Sequence, residues 1–139
     1  PGVPMHRSGG VDRAYFRDAL RLLRRVHAAG ILHNDLAKEP NWLVRPDGSP
    51  ALLDFQLAMR PRRRGRLFRM LAHDDLRHLL KHKRTYCPEC LTTRQRAMLA
   101  KRSPIAGAWA RTGKPLYRFV TRRLLGWADR EGAGDRGGA

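Results

Sequence analysis

The chain has 139 residues, room for one modest domain with its own core, and an ordinary apolar share of 42%. Its 29 Lys and Arg against 12 Asp and Glu leave a formal charge of +17 and a pI near 11.5, a field that attracts polyanions and says nothing of fold. Two cysteines imply no disulfide framework. There is neither a bilayer-spanning apolar run nor a signal-peptide layout, so a cytoplasmic protein, or one peripheral to the inner face of a membrane, is expected.

Residues 1–10, rich in Pro and Gly, read as a loop. From Val11 to Ala29 the apolar residues fall at helical spacing, in the neighbouring rows Phe16, Leu20, Leu23, His27 and Ala19, Leu22, Val26, Ala29. Asp12 stands near the positive end of that helix, and Gly30 is placed to end it in a left-handed conformation. A polar loop, 33–41, follows. Trp42-Leu43-Val44 and Ala51-Leu52-Leu53 read as short strands around the turn Pro46-Asp47-Gly48. Antiparallel pairing would bring loop 33–41 and Asp54-Phe55-Gln56 to the same end of the hairpin. Residues 60–69 hold six arginines and read as an exposed loop; Leu67 to about Lys83 predicts a helix. After a break around Pro88, Thr93 is the expected N-cap of a helix to about Arg102. A helical turn or two after Pro104, a last helix from Pro115 with Leu116, Phe119, Val120, Leu124 and Trp127 on its apolar side, and a Gly-rich flexible tail, 131–139, complete the reading. The expected fold class is mainly α with a small β-hairpin.

The chemistry concentrates in His33-Asn34-Asp35-Leu36-Ala37-Lys38-Glu39-Pro40-Asn41 and in Asp54. Phosphoryl transfer needs a carboxylate to orient the attacking hydroxyl and oxygen ligands for magnesium on the phosphates. Asp35 suits the first task, Asp54 and Asn41 the second, and His33 is better placed to brace the loop than to react.

A His-x-Asp-Leu sequence, a downstream Asn, a hairpin and then Asp-Phe resemble the catalytic loop and metal-binding motif of the protein-kinase-like superfamily. The closest flavour is that of bacterial atypical serine/threonine kinases, of the RIO and lipopolysaccharide-core kinase type. The resemblance covers residues 11–59 and implies a kinase-like C-terminal lobe over 11–130. It implies Asp35 as catalytic aspartate, Lys38 as a contact to the transferred phosphate, and Asn41 and Asp54 as the nucleotide-site and Mg²⁺ ligands, with ATP and Mg²⁺ as cofactors. Asn41 lies six residues after Asp35 where the family has five, with a bulge at Glu39-Pro40 expected to absorb the difference, and Gln56 stands where many kinases have glycine. No Gly-rich phosphate loop or lysine-bearing strand occurs in these residues. The expectation is therefore a C-lobe whose N-lobe would precede residue 1, with residues 1–10 a loop or a remnant of the interlobe hinge. The implied reaction is transfer of the ATP γ-phosphate to a hydroxyl of a protein or glycolipid. The alternative is a non-catalytic basic module on an anionic membrane or another polyanion.

Other signals are less specific. His78 and His82, with Cys87 and Cys90 at C-x2-C spacing, offer four zinc-type ligands, or else two surface histidines and two thiols. The arginine run could hold an acidic partner or anionic lipid, or simply be solvated. Arg118, Arg122 and Arg123 beside the last apolar stripe fit an interfacial helix, though packing on its own domain is the commoner use. Nucleic acid is a weak second choice, since aromatics are not interleaved with the basic residues. Asp74 and Asp75 interrupt an apolar helix; one of them could turn inward to brace the loop, as in many kinases, or both could face solvent.

Overall fold

The computed structural model describes residues 2–103 together with Gly107 and Arg111. The chain divides into two compact units, residues 1–102 and 103–139, and the architecture below is that of the first. The helix expected from Pro115 and the tail 131–139 lie outside the described residues.

Among the described residues the fold is mixed: three α-helices and a three-stranded antiparallel sheet of order β1-β2-β3. Residues 1–10 do more than connect. Val3–Pro4 forms β1, pairing Val3 with Val44 and Pro4 with Leu43, and Met5 in the following 3-10 turn is a core residue. Pro4 can sit there because β1 is an edge strand, where a missing N–H costs no ladder bond on the open side.

α1 runs Arg13–Ala28. Asp12 caps it, its carboxylate accepting from Tyr15 N at 2.9 Å. Gly30, at φ +79°, ends it: Gly30 N donates to His27 O and Ile31 N to Val26 O, satisfying carbonyls that the last turn leaves open. The buried face is Tyr15, Phe16, Ala19 and Leu23, while Leu22 and Val26 are only half-buried.

The expected hairpin forms, with β2 at Trp42–Val44 and β3 at Pro50–Leu52 in the register Trp42–Leu52, Leu43–Ala51, Val44–Pro50. Gly48, at φ +80°, turns the chain, and Leu53 N to Asn41 O extends the pairing past the strand ends. The loop before β2 and the segment after β3 therefore leave the hairpin side by side.

α2, Arg66–Tyr86, starts one residue earlier and ends three later than its expected span. α3, Thr93–Ala100, is capped by Thr92 rather than Thr93, in a reciprocal pair with Gln95. Its last carbonyls are held by the buried Arg77 of α2, which donates to Met98 O and Lys101 O. The core joins Met5, Tyr15, Phe16, Ala19, Leu23, Leu36, Trp42, Leu79, Cys87 and Cys90. Leu36 brings the polar loop into that core. No helix among the described residues is long and apolar enough to cross a membrane.

Candidate functional site

Loop 33–41 is pinned from three sides. Leu36 is fully buried, and its carbonyl accepts from Trp42 Nε1 at 3.4 Å and from His82 Nε2 at 2.8 Å. Asp75 of α2, 2% exposed, sits beneath the loop: its carboxylate accepts from His33 N at 2.9 Å and Asn34 N at 3.0 Å, and Oδ2 also meets His27 Nε2 at 3.0 Å. Two adjacent backbone donors on one buried carboxylate fix the loop's course at the point where Asn34 takes the left-handed region, φ +63°. Asp74 instead pairs with His78 at 3.3 Å in a partly exposed position.

The segment after β3 is zipped to the same loop. Leu32 and Met59 exchange both backbone bonds at 2.9 Å, and Asn34 Nδ2 donates to Leu57 O at 3.1 Å. The His33 ring, fully buried, meets Leu53 O through Nε2 at 3.0 Å and packs on the Phe55 ring with centroids 4.6 Å apart. A carbonyl partner requires a proton on Nε2, and Nδ1 is buried with no hydrogen-bond partner among the described residues. His33 thus braces the loop.

Asp35, Lys38 and Asn41 are brought together. Lys38 Nζ lies 2.8 Å from an Asp35 carboxylate oxygen; Lys38 is 62% exposed and Asp35 12%. Asn41 Nδ2 donates both to Asp35 O, at 2.8 Å, and to the carboxylate, at 3.1 Å. Glu39–Asn41 form a 3-10 turn, with Asn41 N bonded to Lys38 O at 3.1 Å. The Asp35 carboxyl titrates below its usual range. Burial pushes it up, but the hydrogen bonds from Lys38 and Asn41 and the Lys38 charge outweigh that. Lys38 is raised in turn by its bond to Asp35 and by that carboxylate's charge, with a further contribution from Asp54. Asp54 is exposed, at φ +61°, with Oδ1 accepting from Gln56 N at 3.3 Å. Lys38 therefore links the two carboxylates electrostatically. Among the described residues the two non-glycine positions at positive φ are both here, at Asn34 and Asp54. That places the least relaxed backbone of the described residues around the polar cluster.

The arrangement can keep one carboxylate ionised and oriented, with an exposed cation beside it and a second carboxylate open to solvent. His78, His82, Cys87 and Cys90, expected as possible zinc ligands, are not brought together. His78 turns to Asp74, His82 to Leu36 O, and Cys87 and Cys90 are joined as a disulfide. The residues that do cluster there are Cys87, Glu89 and Cys90. Lys38's neighbour Glu39 accepts from Tyr86 Oη at 2.7 Å, a link from the end of α2 to the loop that no spacing rule announced.

No protein-family model, no curated protein and no solved structure matches the chain.

Proposed function

We propose that this chain carries the catalytic half of a protein-kinase-like phosphotransferase, moving the γ-phosphate of ATP to a hydroxyl of a protein or glycolipid. The observation that carries the reading is the grouping of Asp35, Lys38 and Asn41 on a loop whose backbone is held by the buried Asp75. In this reading Asp35 orients the acceptor hydroxyl and takes its proton. The bonds from Lys38 and Asn41 hold its carboxylate in place, and since they also lower its basicity its contribution is orientation more than proton affinity. Lys38, more than half exposed, can leave Asp35 and meet the phosphate in transfer.

The donor set fits Mg²⁺. Asn41 has committed its amide NH2 to Asp35, so its carbonyl oxygen is the atom left for a cation, and Asp54 offers an exposed carboxylate. Bound there with ATP, the ion would neutralise charge on the phosphates. The resemblance to lipopolysaccharide-core and atypical serine/threonine kinases sets the acceptor class, and the +17 charge favours an anionic one.

The test is Mg²⁺- and ATP-dependent phosphate transfer by the natural full-length polypeptide to protein and glycolipid acceptors. Asp35→Asn is expected to lower kcat by about 100-fold or more, the scale of general-base catalysis, and Asp54→Asn to abolish the magnesium dependence. Wild-type rates in both variants would refute the assignment.

A further inference from the structure

We infer that the arginine-rich face built by residues 57–70 is a docking surface for an anionic lipid membrane. Four large apolar side chains there face water: Leu57 is 57% exposed, Met59 47%, Leu67 61% and Met70 37%. They come from two segments anchored on the same short stretch of chain. The first is held by the Leu32–Met59 backbone pair and by Asn34 Nδ2 on Leu57 O. The second is held by Arg64, which donates to Ala28 O and lies over the Phe68 ring, itself packed edge-on against His27. Residues 27–34 thus anchor both segments that carry the apolar pairs. Leu67 and Met70, three apart in the first turn of α2, share a face of that helix.

The charge around these side chains has one sign. Between Phe55 and His73 the sequence contains no Asp or Glu and six arginines. Arg64 is occupied with Ala28 and Phe68. Arg60, Arg62, Arg63, Arg66 and Arg69 are exposed and take part in none of the ion pairs among the described residues. Leucine and methionine interleaved with exposed guanidinium groups match a lipid–water boundary, which takes apolar side chains and cations at one depth. Single-stranded nucleic acid fits less well. The one aromatic among these arginines, Phe68, is buried beneath Arg64, and the nearby exposed Phe55 packs its ring on His33, so the arginines are not interleaved with stacking rings. This surface does not depend on the phosphotransfer reading, and it can be tested without nucleotide.

The experiment is co-sedimentation of the whole chain with vesicles of phosphatidylcholine, alone or with about one-third phosphatidylglycerol, at low and high salt. Binding is expected only to the anionic vesicles, weakening with salt. Arg62→Glu with Arg63→Glu is expected to lower the partition coefficient by about 25-fold or more, taking about 5-fold per arginine near an anionic surface. Leu67→Ser with Met70→Ser is expected to lower it by about 10-fold through lost apolar burial. Arg45→Ser, at the turn end of the hairpin and so opposite the end from which residues 54–59 leave it, should change it by less than about 3-fold, because a charge far from the lipid contributes little. Wild-type partitioning by the Arg62/Arg63 variant overturns the inference, as does loss that follows Arg45 instead. So does an unchanged Leu67/Met70 variant, which would indicate charge adsorption alone. A single-stranded oligonucleotide whose binding falls with Arg62 and Arg63 while vesicle binding does not would assign the face to nucleic acid.

Discussion

Replacing Asp75 by alanine tests whether one buried carboxylate sets the course of the polar loop. The side chain is 2% exposed and accepts from His33 N, Asn34 N and His27 Nε2, all within 3.0 Å. Removal leaves the buried His33 N–H and the half-buried Asn34 N–H without an acceptor. An unmade buried bond costs about 1–3 kcal/mol, and bonds to a charged group lie at the upper end, so the two together are expected to cost about 3–5 kcal/mol. That is a large share of the stability of a domain this size. With a urea slope of about 2 kcal/mol/M, the unfolding midpoint should fall by roughly 2 M. Asp75→Asn, which keeps one acceptor oxygen and turns an NH2 toward the other backbone donor, should fall between. Amide exchange read by NMR should show protection lost first at His33 and Asn34. Asp74→Ala, whose pairing with His78 is partly exposed, should cost about 1 kcal/mol or less. A midpoint within about 0.5 M of wild type for Asp75→Ala, at that urea slope, would refute the bracing role.

The Asp35 carboxyl, followed by NMR, should titrate below the model-peptide value of about 3.9. Because its folded value is depressed, the stability it adds is present above the unfolded value and disappears as pH falls through the folded one. Lys38→Ala and Asn41→Ala should each move the titration upward, and a downward move would contradict the geometry. Tyr86 is pushed up to about 12, chiefly by burial and then by its bond to Glu39 and that carboxylate's charge. Its contribution should hold below the unfolded phenol value of about 10 and fade above it, and Tyr86→Phe should remove one late-ionising phenol from the ultraviolet titration. Reducing the Cys87–Cys90 bond, which closes a loop with a sequence separation of 3, should lower stability by about 2 kcal/mol on chain-entropy grounds, measured in urea with and without reductant.

Much of the site's frame is legible in the sequence because it rests on local rules. Asp12 and Gly30 bracket α1, and the Pro46-Asp47-Gly48 turn predicts the hairpin that sets Asn41 beside Leu53. The choice between Asp74 and Asp75 was also available from helix phase. Phe68, Ala72, Asp75, Leu79 and His82 follow one stripe at helical spacing, and Asp74 lies off it. The same stripe separates the two histidines: His82 faces inward to Leu36 O, while His78 sits at the edge with Asp74. Thr92 could have been preferred to Thr93 as the cap, since only Thr92 has Gln95 three residues on. β1 and the Tyr86–Glu39 bond were not legible. A two-residue strand containing Pro4 has no period of its own and exists only because β2 offers it an edge. Glu39 and Tyr86 are 47 residues apart and meet only once the loop and α2 are packed.

The most direct test of the site is Mn²⁺, standing in for Mg²⁺, added with ATP to the isotope-labelled chain. Paramagnetic broadening should centre on the amides of Asn41 and of Leu53 through Gln56. It should extend to Asp35 and disappear in Asp54→Asn while the fold is retained. Broadening that centres elsewhere, at Asp47 or the Cys87–Glu89–Cys90 cluster, or that survives unchanged in Asp54→Asn, would contradict a phosphotransfer site built on Asp35, Asn41 and Asp54.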